Sequence, residues 1–333
     1  TDGHITIKRL GFGTRFDKWL LPVLGFFVAR RAIRSQGRVV LWGMMISQGT
    51  IAAYFLKKVF PKIPLLVTLQ EGDSPEYLER GRAGLIGFFW RRTLAVADHV
   101  TVISVYLAGL ARSAGYTKQI SIIPNGVDEH FVSEAFERAA LDDLKQQLGV
   151  VTGECVIISV SRLVEKNGLG DLIEAVSLLL KRGIRARLFI AGAGEEKNRL
   201  QLLVKNLRIG DRVVFLGAIP HEDLLRYYRM SDIFARPSHS EGLVVSFLEA
   251  MGAVVPVIAT PVGGILDFLE DAKTGIFVEP ASPTSIAGGI ERLFTDDTLR
   301  TNIVQNAREL IIQKYLWVDI SKQMEEIFLQ VTS

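Results

Sequence analysis

Two glutamates, Glu241 and Glu249, stand eight residues apart in the run SEGLVVSFLEAM. Eight residues cover about 12 Å along a helix. The pattern predicts a helix over Val244–Met251 that opens at Gly242, with the N–H groups of Gly242, Leu243 and Val244 free at its amino end. Such an end attracts anions through unpaired donors and through the helix dipole. A phosphate there, with one carboxylate beside it and another two turns on, spans the length of a nucleotide sugar. An ionised carboxylate suits vicinal hydroxyls, since it accepts from two at once. Taken alone the spacing is weak, because acids are favoured at helix N-termini in any case.

Other residues converge with it. SVSRLVEKNGLGDLIEA places Ser161, Arg162, Lys166 and Asn167 in the turn after an expected strand, Cys155–Val160. Two cations in such a turn neutralise a diphosphate, the arginine with a bidentate fork. Gly192 and Gly194 follow the next strand in IAGAGEE, and Leu216 and Gly217 close the third in FLGAIP. Pro237 and Ser238 follow the fourth in RPSHSEG, and TPVGGILD follows the fifth. Loops at the carboxyl ends of parallel strands form the ligand crevice of an open α/β sheet.

The elements that must hold these loops alternate. Strands are expected at 155–160, 187–191, 212–216, 232–235, 256–260 and 275–278, with helices at 171–181, 195–206, 222–230, 244–251, 265–269 and 283–294. That alternation implies a parallel sheet covered on both faces. The N-terminal half reads as four strands, at 39–42, 64–69, 100–103 and 120–123, with helices at 48–59, 76–98 and 105–114. A first strand with a Gly-rich loop is expected to be missing from it, because no strand precedes Gly11 and Gly13 and the chain starts at Thr1. The division expected is 1–148 for an incomplete N-terminal domain, 149–314 for a donor domain, and 315–333 for a helix that crosses back to the first domain.

Five motifs, SRLVEKNG, IAGAGEE, RPSHSEGLVVSFLEAM, PVIATPVGGILDFL and TGIFVEP, together with IPNGVDEHF at 123–131, make the chain resemble family 4 of the retaining glycosyltransferases. The resemblance implies the GT-B fold: two Rossmann-like α/β domains facing across a cleft. It implies a catalytic set of Arg162, Lys166 and Glu241. The implied donor-binding set is Ser161, Asn167, Gly192, Gly194, Leu216, Pro237, Ser238, Gly242, Leu243, Val244 and Glu249. Glu241 would contact the donor sugar, Glu249 the ribose, and the cations the departing diphosphate. Gln70, Glu71, Asp73 and Ser104 would lie on the acceptor side. No metal and no cofactor is implied, the nucleoside-diphosphate sugar being a co-substrate. Two departures stand out. Asn167 and Val254 occupy positions where the family usually has lysine and glycine.

Composition bounds the rest. Of 333 residues 48% are hydrophobic and 23% charged, which fits globular domains and excludes disorder. One cysteine, Cys155, excludes an internal disulfide and fits a reducing, cytoplasmic setting. The first sixty residues carry ten lysines and arginines against Asp2 and Asp17. That flank suggests an anionic partner, here a lipid-linked or sugar acceptor at the inner membrane surface. The apolar run 19–29 is too short to span a bilayer and reads as a buried or an interfacial helix. The rivals are a degenerate, non-catalytic nucleotide-sugar binder, and more distantly an NAD-dependent oxidoreductase, for which GAGEEKN lacks the third glycine. Nucleic acid is not expected as a partner, because basic and stacking aromatic residues do not interleave.

Overall fold

The computed structural model describes residues 7–14, 17–34, 38–70, 81 and 84–332. The chain forms two compact units, Thr1–Ile123 with Lys322–Ser333, and Pro124–Ser321.

The first unit contains α1 (Asp17–Arg34), β1 (Leu41–Met44), α2 (Gln48–Val59), β2 (Leu65–Leu69), α3 (Leu85–Val96), β3 (His99–Val102), α4 (Val105–Ser113) and β4 (Ile120–Ile122). The strands form one parallel sheet in the order β1-β2-β3-β4. Every residue of β2 and β3 is buried, as expected for strands covered on both faces. Serines begin two of the helices: Ser47 Oγ accepts from Thr50 N and Ser104 Oγ from Leu107 N. Lys57, counted above as part of a basic flank, is a structural cation. Its Nζ lies 2.6 Å from Asp98 and donates to the carbonyls of Pro61 and Ile63.

Helix α1 packs on α2, with Gly25 set against Ala52. It is not a buried helix. Leu20, Val23, Phe27, Arg31 and Arg34 recur at three- and four-residue steps and are all exposed, so one stripe runs from apolar to basic. Phe27 keeps 60% of its surface accessible. Among the described residues no helix is long and apolar enough to cross a membrane.

The second unit begins with α5 (His130–Ser133) and α6 (Arg138–Gln147). Then come β5 (Cys155–Val160), α7 (Leu169–Lys181), β6 (Ala186–Ala191), α8 (Lys197–Leu207), β7 (Val213–Gly217), α9 (His221–Arg229) and β8 (Ile233–Arg236). It ends with α10 (Val245–Gly252), β9 (Val257–Ala259), β10 (Ile276–Phe277), α11 (Pro283–Thr295), α12 (Asp297–Lys314) and α13 (Trp317–Thr332), whose residues from Lys322 onward cluster with the first unit. All strand pairs are parallel, in the order β10-β9-β8-β5-β6-β7. Counted within the unit this is 6-5-4-1-2-3, the doubly wound order, and it reverses between β5 and β8. Leu169, Leu172, Ile173, Val176 and Leu179 of α7 bury one face against α11 and the sheet. Each such side chain contributes roughly 1.5–3 kcal/mol relative to exposure.

Three expectations are corrected. The division falls before Pro124, not after 148, because Val127 is tied to the far end of the second unit: its N–H donates to Tyr315 O, and Trp317 N–H donates to Val127 O. The helix expected from Gly242 starts at Val245, with extended Val244 as its N-cap. Helix α12 lies where no element was expected, since only Ile303, Ala307 and Ile311 are buried along its 18 residues.

Candidate functional site

The candidate residues of the second unit gather at the carboxyl edge of its sheet, around the reversal between β5 and β8. Successive loops there are locked to each other through backbone. Ser161 N donates to Ala191 O and Leu163 N to Ala193 O, joining the loops after β5 and β6. His239 N donates to Lys166 O, joining the loops after β8 and β5. Gly264 N donates to Glu241 O, joining those after β9 and β8. Glycine makes these approaches feasible. A Cβ on Gly192 would collide with Ser161 O, one on Gly168 with Pro237 O, and one on Gly263 with Glu241 O. Gly192 and Gly194 thus act here by close packing of loop on loop.

At the reversal sits a buried ionic cluster centred on a residue that sequence reasoning missed, Arg236, the last residue of β8. The residue is only 8% exposed. Its Nη2 donates to the Glu241 carboxylate and to Asn167 Oδ1 at 2.9 Å, and its Nη1 lies 3.4 Å from Ser246 Oγ. Asn167 is itself buried, and its Nδ2 donates to Arg162 O at 2.7 Å, which fixes the amide with its oxygen toward Arg236. Burial draws the Arg236 guanidinium below its ordinary pKa, Glu241 and Tyr228 oppose that, and the like charge of Arg162 adds to it.

Glu249 sits one step further. It is buried on α10, and its two oxygens accept from Tyr228 OH at 2.9 Å and meet His221 Nε2 at 2.8 Å. Burial, and then the neighbouring Glu249 carboxylate, push the Tyr228 hydroxyl well above its ordinary pKa. Each Glu249 oxygen keeps a lone pair for a further donor. Ser159, Ser161 and Ser238 hydroxyls and Arg236 Nε are buried with no hydrogen-bond partner. An orphaned buried group costs about 1–3 kcal/mol, so four of them at one sheet edge mark a surface shaped for a polar ligand.

The remaining sequence candidates divide by unit. Pro237, Ser238, Leu243 and Val244 are buried in the loop after β8, with Gly242, and Leu216 ends β7. In the first unit Gln70 follows β2 directly. Ser104 is fully buried, and its hydroxyl oxygen accepts from Leu107 N as the N-cap of α4. Glu71 and Asp73 lie outside the described residues. Arg236 left one signal in the sequence, a charged residue closing the apolar run IFA. His221 and Tyr228 left another, a seven-residue spacing that puts both on one face of α9. Among the described residues no group of three or more His, Cys, Asp or Glu side chains is placed to hold a metal ion.

The family profile described as glycosyl transferases group 1 matches residues 142–310. N-acetyl-alpha-D-glucosaminyl L-malate synthase of Bacillus anthracis is 28% identical over 84% of this chain and 72% of its own length. A GDP-mannose-dependent alpha-(1-6)-phosphatidylinositol monomannoside mannosyltransferase of Mycobacterium tuberculosis is 29% identical over 69% of this chain and 61% of its own. The chain spans 54% to 72% of the length of the first curated relatives it matches. The crystal structure of Anabaena HepE in complex with UDP and glucose superposes with a TM-score of 0.81 at 22% identity, covering 92% of this chain and 82% of that one. That likeness establishes the fold, the GT-B arrangement of two parallel α/β sheets.

Proposed function

Because the chain belongs to the glycosyl transferases group 1 family, we propose that it moves a hexose-type sugar from a nucleoside-diphosphate sugar to an acceptor hydroxyl, with retention and without a metal. The observation that carries this reading is the buried cluster at the β5/β8 reversal, where anion-binding and hydroxyl-binding groups meet beside orphaned polar atoms. Arg162 and Lys166 would neutralise the departing diphosphate, Glu241 would take the sugar hydroxyls, and Glu249 the ribose. Fixed charges aimed at a leaving group lower its barrier, because they need no reorganisation during reaction.

The acceptor is proposed to be lipid-linked or otherwise anionic, met at the cytoplasmic membrane face, in the synthesis of a surface glycan or glycolipid. The exposed stripe of α1 supports this, since an apolar half can enter the lipid interface while Arg31 and Arg34 meet anionic headgroups. The second reading is a nucleotide-sugar binder without catalysis, which the neutral Asn167 among the candidate cations favours.

A thermal-shift panel of UDP, GDP and ADP, followed by turnover of the matching sugar nucleotides, separates these readings. A ligand at a hundred times its Kd adds about 2.7 kcal/mol of stability. One nucleotide is expected to raise the Tm and its sugar conjugate to be consumed. A shift without consumption supports the binder, and no shift with any of the three overturns both. Retention is read from the anomeric configuration of the product.

A further inference from the structure

We propose that Arg236 and Asn167 act as one unit in the donor site: beside Arg162 and Lys166, the buried guanidinium supplies a further positive charge that meets the donor's distal phosphate, while Asn167 and Glu241 hold it in register. This rests on the donor-site reading above. The argument starts from what the fold does not need. Ile233, Phe234 and Ala235 form a fully buried apolar strand, and an apolar residue at 236 would extend it without desolvating a charge. Both partners of Arg236 Nη2, Asn167 and Glu241, are loop residues of the candidate site. Its Nε–H is buried and unpartnered, as are the hydroxyls of Ser161 and Ser238 in the loops after β5 and β8. A guanidinium has five N–H donors in a rigid fork, so the three that face Asn167, Glu241 and Ser246 leave two for a phosphate.

Asn167 then has a positive reason to be neutral. Its Nδ2 is engaged by Arg162 O, so it offers Arg236 an acceptor and cannot be exchanged for a donor. A lysine at 167 would set an ammonium against a buried guanidinium, and like charges at that range oppose each other strongly. At this point of the site the cation therefore stands at 236 on strand β8 and not at 167, in addition to Arg162 and Lys166 in the loop after β5. Adding a lysine at 167 should harm it, not repair it.

The test uses the full chain and calorimetric titration with nucleoside diphosphates and monophosphates of whichever base the wild type binds. Arg236→Leu should weaken the diphosphate at least about tenfold while changing the monophosphate less than about threefold. Asn167→Lys should also weaken the diphosphate. The double variant N167K/R236L should recover to within about threefold of wild type, since the charge removed at 236 is restored at 167 without a like charge facing it. Arg236→Lys should fall between, keeping charge without the fork. Wild-type diphosphate affinity in Arg236→Leu, equal losses for mono- and diphosphate, or a double variant no better than the product of the singles would each overturn the inference. Should Arg236→Leu fail to fold, selective diphosphate loss in Arg236→Lys decides in its place. A wild type that binds no nucleotide overturns the donor-site reading and this inference with it. A wild type that binds, with unaffected variants, overturns this inference alone.

Discussion

Val254 holds a φ of +65°, the left-handed region, immediately after α10. Its N–H donates to Met251 O and that of Val255 to Ala250 O, the paired bonds of a Schellman motif, in which this position normally belongs to glycine. The β-branched side chain strains the backbone, and being partly exposed it returns little burial. Val254→Gly is therefore expected to stabilise the protein by about 1 kcal/mol, after discounting glycine's unfolded-state entropy, read as a higher Tm. The substitution for glycine was legible in the sequence, but not its outcome: the turn keeps its shape and bears the strain. Glu154 was not legible at all, because its meaning depends on two arginines 33 and 58 residues away. Burial opposes its ionisation, yet the hydrogen bond from Arg187, the Val151 N–H and the charges of Arg187 and Arg212 hold its carboxyl below the usual range. A depressed carboxyl contributes stability above its unfolded pKa and loses it as pH falls through the folded value. Glu154→Gln should cost on the order of 2 kcal/mol at neutral pH, less than a fully buried pair because Arg212 reaches solvent. In acid titrations followed by melting, wild type and variant should converge as the pH drops below the carboxylate range.

At the scale of elements, α1 and α12 mark where periodicity succeeds and where it fails. The apolar run of α1 was evident, but whether it faced core or solvent was not, since that choice is made by α2 packing on Gly25. The exposed stripe yields a prediction for flotation with anionic vesicles at low salt. The pair R31E/R34E should lower the bound fraction at least about tenfold, since each basic residue near such a surface contributes about 1 kcal/mol. Phe27→Asp should also lower it, and should do so at high salt too, where screening has already weakened the arginines. Binding of both variants at the wild-type level would remove α1 from the membrane. Helix α12 escaped notice because its buried residues fall only every fourth position, too thin a stripe to stand out.

For the whole molecule, element alternation in the sequence implied a parallel sheet in each half, but strand order was invisible, because pairing is a long-range choice. The doubly wound order of the second unit is what brings the loop after β5 beside the loop after β8, and so Asn167 to Arg236. That unit has its own core, so Pro124–Ser321 expressed alone should melt cooperatively and show a nucleotide-dependent rise in Tm. A fragment that folds but ignores nucleotides bound by the full chain would mean the first unit supplies essential contacts. The interlocked rim has a consequence for how such a protein can change. Loops keyed to one another by glycine against carbonyl cannot be lengthened or remodelled singly, because each is the mould for the next. New donor preferences must then arise by exchange of side chains on an inherited backbone. A library built that way, with Gly168, Gly192 and Gly263 left untouched, samples the chemistry open to this scaffold while retaining its shape.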